Sequence, residues 1–130
     1  VAVVPITSEG EVLMVRQYRH PVEEILLEIP AGKLDANEPP DECVKRELLE
    51  ETGMVAGSLE KLFSFYSSPG FSNEILHIYV AKDLVYQGQR LDEDEFVELE
   101  KIPLNKAKEM IIQGKIKDAK TIIGILACSS

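Results

Sequence analysis

The sequence predicts a mixed α/β sandwich, and three observations carry that prediction. β-branched and apolar runs fill the first 29 residues and recur beyond residue 58. A central segment has a helix-start signal at Pro39-Pro40 and a helix-stop signal at Gly53. Two further helical stretches close the chain. Strands interrupted by one helix and followed by others pack as layers around a single core.

Val1 to Ile6 and Glu11 to Tyr18 are apolar-rich runs separated by Thr7-Ser8-Glu9-Gly10, a connection with the turn chemistry of a hairpin. Pro21 ends the second run after the basic stretch Arg16-Gln17-Tyr18-Arg19-His20. Ile25 to Ile29 reads as a short strand stopped by Pro30 and Gly32. Prolines suit the first turn of a helix and little else, so a helix is expected from Pro40 to Thr52, with Gly53 as its left-handed cap. Leu59 to Tyr66 reads as a strand, Ser67 to Asn73 as a loop of turn formers, and Glu74 to Ala81 as another strand. The acidic run Asp92 to Glu95 precedes a strand at Phe96 to Leu99. Helices are expected at Asn105 to Gln113 and at Ala119 to Ala127, the second capped by Asp118.

One domain accommodates the whole chain, since 130 residues build a single good core and are too few for two. The chain begins inside an apolar alternation without a methionine and is read as a fragment lacking an N-terminal segment. Twenty-three acids against fourteen bases give a net charge of −9. That balance argues against a non-specific nucleic-acid or membrane surface. No apolar run approaches the length that spans a bilayer, and no signal peptide is visible. Cys43 and Cys128, far apart and without a CxxC partner, read as two reduced thiols of a cytoplasmic protein.

The most informative segment is the central helix. A residue advances about 100° around a helix, so Glu47, Glu50 and Glu51 stand at about 0°, 300° and 40°. Three carboxylates on one stripe repel by a few tenths of a kcal/mol per pair. A cation relieves that repulsion, and hard oxygen ligands suit Mg²⁺ or Mn²⁺ rather than Zn²⁺. Arg46, at about 260° on the same wheel, flanks the stripe. Glu38 lies where a negative charge favours the helix dipole. Cys43 falls one turn before Glu47.

Gly32, five residues, Glu38, seven residues, Arg46-Glu47, Leu48, one residue, Glu50-Glu51, one residue, Gly53 and Met54 match every defined position of the Nudix box. Nine positions fixed in type and spacing make chance agreement remote. The chain therefore resembles a Nudix hydrolase. The resemblance implies an α/β/α sandwich with a mixed β-sheet. It makes Glu47 and Glu51 metal ligands, with Glu50 a ligand or bridged through water, and the Ala31 carbonyl a further ligand. Arg46 would orient the glutamates. Gly32, Glu38 and Gly53 would be structural, and Cys43 would pack beneath the loop.

Pro69, sixteen residues beyond Gly53, lies where the ADP-ribose pyrophosphatase branch carries a proline. The stretches Arg16-Gln17-Tyr18-Arg19 and Leu27-Glu28-Ile29-Pro30-Ala31-Gly32-Lys33 are similar to the same branch. Arg16 and Arg19 would meet phosphate charge, Arg19 being the better candidate. Glu28 is either a contact to adenine or to a metal-bound water, or a surface carboxylate. Related enzymes supply a catalytic glutamate from a loop near the acidic run, which points to Glu93 or Glu95. His20 and His77 are isolated, and His77 alternates with apolar neighbours, which favours packing.

The activity implied is Mg²⁺-dependent hydrolysis of ADP-ribose to AMP and ribose 5-phosphate, with homodimerisation in the full-length chain. The alternatives are another nucleoside diphosphate sugar, a dinucleotide or an oxidised nucleotide in the same chemistry. A non-catalytic nucleotide-sensing domain is disfavoured, because such domains commonly lose box carboxylates and all are present here.

Overall fold

Two prolines and a glycine delimit the central helix, α1 (Pro40–Thr52). The proline at its first turn forfeits an N–H that has no intrahelical partner in any case. Asp41 and Glu42 complement the positive end of the helix dipole. Gly53 closes the helix at φ 75°, donating its N–H to the Leu49 carbonyl at 2.9 Å. That left-handed cap is costly for residues with a Cβ.

The computed structural model describes residues 1–88 and 98–128. Among the described residues there are six strands: β1 (Ala2–Pro5), β2 (Glu11–Arg19), β3 (Glu24–Glu28), β4 (Met54–Tyr66), β5 (Ile75–Tyr86) and β6 (Glu98–Pro103). Helices α2 (Leu104–Ile112) and α3 (Ala119–Cys128) follow. One sheet has the order β1-β5-β4 and the other β3-β2-β6. In the first, β1 is parallel and β4 antiparallel to β5, which makes it a mixed sheet.

The hairpin expected between the first two runs does not form. β1 pairs in parallel with β5, β2 lies between β3 and β6, and the two runs meet through the bridge Ile6–Val12 and the turn bond from the Thr7 N–H to the Glu11 carbonyl. The physical reason is burial on both faces. Val1 and Val3 pack with Cys43, Val44 and Leu48 of α1, whereas Ala2 and Val4 join Val12, Met14 and Leu27 of the other sheet. A strand buried on both sides reads as a continuous apolar run and suits parallel pairing inside layers. Ile125 of α3 and Ala107 of α2 complete this second core, opposite α1. Gly124 lets α3 approach the sheet, since a Cβ there would meet Val4 Cγ2 at 2.8 Å.

β4 and β5 extend well beyond the expected runs. A register shift between Lys61 and Phe63 breaks the alternation of β4. Asp83, at φ 54° within β5, faces Gly57 so closely that a Cβ on the glycine would meet its Cβ at 2.9 Å. Glycine and a left-handed aspartate are poor strand signals, which explains the shorter expectation. The helices fall within a residue of their expected ends, and a 3-10 turn at His20–Val22, not foreseen, carries Pro21.

Candidate active site

The segment after β3 sets the geometry of the site. Val3 N–H donates to the Pro30 carbonyl at 3.0 Å, and Gly32 N–H to the Val1 carbonyl at 3.1 Å, with Ala2 and Ala31 bridged between them. In extended backbone, alternate residues direct their polar groups to opposite edges. Pro30 and Gly32 are thus spent on β1, and both backbone groups of Ala31 point the other way. There the Ala31 N–H bonds to the Glu51 carboxyl. The Ala31 carbonyl shares that edge, beside the box glutamates of α1.

Gly32 makes room for Glu47. A Cβ on Gly32 would fall within 2.5 Å of all three carboxyl atoms of Glu47. Arg46 anchors the same carboxylate from the side. Its Nη1 donates to Glu47 Oε1 at 2.9 Å and to Glu50 Oε2 at 3.4 Å. Its Nε and Nη2 grip both oxygens of Glu38 at 3.0 and 2.9 Å, and Nη2 also reaches the Lys33 carbonyl at 3.2 Å. The Arg46 guanidinium holds Glu38 down to a pKa of about 2, and Glu38 also accepts the Asp35 N–H. Arg46 is correspondingly raised, first by its bond to Glu38. Cys43 is buried beneath this loop, its thiol toward the Lys33 carbonyl, and desolvation pushes it up to about 11.

Glu51 experiences the opposite field. Burial, followed by the charge of Glu47, raises its carboxyl to about 8. Among the described residues, no three acidic, histidine or cysteine side chains are already gathered in a metal-binding arrangement. The donor set nevertheless fits a hard divalent cation: Glu47 and Glu51 carboxylates that repel one another, and the Ala31 carbonyl at the same edge. A bound cation would offset the repulsion that lifts Glu51.

Glu28 is not a surface carboxylate. It is 1% exposed, and its oxygens meet two cations. Arg19 donates from Nε to Oε2 at 2.8 Å and from Nη2 to Oε1 at 2.7 Å, while Lys120 Nζ reaches Oε1 at 2.7 Å. Burial pushes the Glu28 carboxyl up, but these two cations outweigh it and leave the pKa lowered. Both cations thus keep the buried carboxylate ionised. The group lies beside the box: Glu51 interacts electrostatically with Glu28, Lys120 and Arg19.

The structure separates the two arginines. Arg16 and Arg19 are three residues apart on β2, so strand alternation puts them on opposite faces. Arg16 bonds Glu100 of β6 through Nε at 2.7 Å, away from Glu28. Pro69 is exposed in the turn between β4 and β5. His77, half-buried, bonds through Nδ1 to Ser64 Oγ at 2.7 Å on the neighbouring strand, and desolvation lowers its pKa. His20 lies in the turn after β2. Glu93 and Glu95 fall outside the described residues.

Sequence reasoning missed Lys120 and Thr121. Asp118 was read only as a helix cap, and it does accept the Thr121 N–H at 3.3 Å. It also accepts from Lys120 Nζ at 2.9 Å and Thr121 Oγ1 at 2.6 Å, and Thr121 Oγ1 in turn accepts the Ile29 N–H at 3.0 Å. The Asp-Ala-Lys-Thr stretch thus ties α3 to the strand that leads into the box. No spacing in the sequence announces a contact spanning 92 residues.

The fold and this site define a Nudix domain, and residues 1–122 match the NUDIX domain model. The chain belongs to the Nudix family. It is 45% identical over 127 residues to an ADP-ribose pyrophosphatase of Bacillus subtilis, covering 96% of this chain and 69% of that protein. It is 48% identical, with the same coverage, to a methanol dehydrogenase activator of Bacillus methanolicus. A GDP-mannose pyrophosphatase of Yersinia enterocolitica is 42% identical over 88% of this chain and 64% of its own length. A crystal structure described as an ADP compounds hydrolase superposes with a TM-score of 0.87 at 25% identity, over 98% of this chain and 68% of that one. Among the described residues, no helix is long and apolar enough to cross a membrane.

Proposed function

We propose that this domain hydrolyses the diphosphate bond of ADP-ribose to AMP and ribose 5-phosphate, with Mg²⁺ as its metal and Mn²⁺ as a substitute. What supports this reading is that Glu51 meets the Ala31 backbone and the charge of Glu47, itself packed on Gly32, in a chain 45% identical to an ADP-ribose pyrophosphatase. Glu47 and Glu51 would hold the metal with the Ala31 carbonyl, and Glu50 directly or through water. When bound, the metal supplies Lewis-acid stabilisation of phosphoryl charge and lowers the pKa of water.

The protein's own residues do the rest. Arg46 fixes the rotamers of Glu47 and Glu50, so the carboxylates are preorganised rather than recruited. Arg19, forked on Glu28, meets the negative charge of the diphosphate. A glutamate of the acidic run, Glu93 or Glu95, takes the proton of the attacking water. Pro69 shapes the turn at the substrate entrance. Function in the cytoplasm, with homodimerisation in the full-length chain and without nucleic-acid or membrane partners, completes the reading.

A second reading has support of its own. GDP-mannose pyrophosphatases at 42% identity and below show that this scaffold accompanies other nucleoside diphosphate sugars. Product analysis over a panel of ADP-ribose, GDP-mannose, dinucleotides and nucleoside triphosphates, with Mg²⁺ and with chelator, decides between them. Release of AMP and ribose 5-phosphate from ADP-ribose at the highest kcat/KM supports the first. Preference for GDP-mannose moves the chain to the second with the same metal chemistry.

A further inference from the structure

We propose that Lys120 is a positioning residue for substrate binding: it clamps Glu28, and Glu28 in turn fixes the guanidinium of Arg19 toward the diphosphate. The inference rests on the reading of Arg19 as a phosphate contact. It gives α3 a part in the site that the box does not contain.

The geometry forms a relay across three elements. Arg19 ends β2, Glu28 ends β3, and Lys120 lies in the first turn of α3. Val15 is the partner of Glu28 in the β2–β3 register, and Arg19 stands four residues further on the same face. The arginine therefore reaches back along the strand, a posture it keeps only while both carboxylate oxygens hold its Nε and Nη2. That fork spends one edge of the guanidinium. Nη1 takes no part in that fork, and the side chain stays 40% exposed. A planar fork locked at one edge offers donors in a fixed direction, which suits a phosphate.

Lys120 supplies what the arginine–carboxylate pair lacks. A diphosphate approaching Arg19 competes with Glu28 for the same cation. With Lys120 Nζ also on Oε1, Glu28 keeps a cation of its own. Lys120 is only 15% exposed and is held from behind by Asp118, so it acts through Glu28 rather than on substrate. Asp118 also caps the positive end of α3, so the carboxylate that holds Lys120 is itself anchored.

The test is a double-mutant cycle on the Mg²⁺-loaded enzyme, with kcat and KM for ADP-ribose, or for the best substrate of the panel. Lys120→Met is expected to raise KM about tenfold while kcat falls less than threefold, and Lys120→Arg to restore most of the loss. In an Arg19→Ala background, Lys120→Met is expected to change KM less than twofold, because the group it positions is gone. A KM effect of equal size in both backgrounds overturns the relay, as does an unchanged KM in Lys120→Met. Arg19→Ala with unaltered KM overturns the diphosphate reading of Arg19 itself. Should Lys120→Met fail to fold, Lys120→Gln with and without Arg19→Ala provides the same cycle, monitored by melting temperature.

Discussion

Gly32 and Glu47 meet with no spare atom between them: a Cβ on the glycine would lie 2.1 Å from Glu47 Cδ and 2.2 Å from its Oε1. The requirement for glycine here is one of space for a carboxylate, and no turn is involved. Gly32→Ala would push that carboxylate off Arg46 and off the edge shared with the Ala31 carbonyl. Because the displaced atoms end a flexible side chain, unfolding free energy should change by about 1 kcal/mol or less. Turnover should fall by about 100-fold, the scale expected for a misplacement of about 1 Å. Denaturant melts beside steady-state rates check the pair of outcomes; a large stability loss with proportionate activity loss contradicts it.

Within the box, ligand and support roles separate by isosteric substitution. Glu47→Gln and Glu51→Gln remove charge at constant shape, so each should lower turnover by orders of magnitude in saturating Mg²⁺. Metal-free Glu51→Gln should melt higher than the parent, since it removes a carboxylate that burial and Glu47 both disfavour. Glu38→Gln weakens only the grip on Arg46 and should cost much less. Equal rate losses at all three positions would show the division of roles to be wrong.

The raised Glu51 carboxyl sets a pH dependence for the metal-free protein. Its folded pKa is about 8 against an ordinary value of 4.5, so the folded state holds this proton more tightly than the unfolded state. The corresponding stability is fully present below pH 4.5 and is lost as pH rises through 8. A metal that needs the ionised carboxylate binds better as that proton leaves. The increase in melting temperature on adding Mg²⁺ should therefore be larger at pH 8 than at pH 5. A shift that is the same at both, or larger at pH 5, counts against Glu51 as a ligand.

Local chemistry explains which parts were legible beforehand. Pro39, Pro40 and Gly53 act on their immediate neighbours, so α1 was readable to the residue. The Asp118 cap acts over three residues and was readable for the same reason. The pairing of β1 with β5 depends on burying both faces of Val1 to Val4 between layers, and the turn residues at Thr7 to Gly10 favoured the wrong neighbour. The Lys120–Glu28 contact depends on how α3 docks on the sheet, and Glu28 gave no local sign of its burial.

Strand alternation yields the last prediction, which ranks two arginines that look equivalent in sequence. Arg19 shares a face with Glu28 and lies in the field of Glu51, whereas Arg16 faces the other way and pairs with Glu100. Arg19→Ala removes one charge-assisted contact worth about 1.5–3 kcal/mol, which corresponds to a 10- to 100-fold loss in kcat/KM. Arg16→Ala breaks an exposed pair of small value and should cost threefold or less. Pro69→Ala should relax the preference among nucleoside diphosphates without changing the Mg²⁺ concentration for half-maximal rate, because it acts through the shape of the turn. These four enzymes, with the parent included, can be ranked on ADP-ribose and GDP-mannose in one set of assays that quantify the AMP or GMP released. A loss at Arg16 equal to that at Arg19 would contradict this ranking by face.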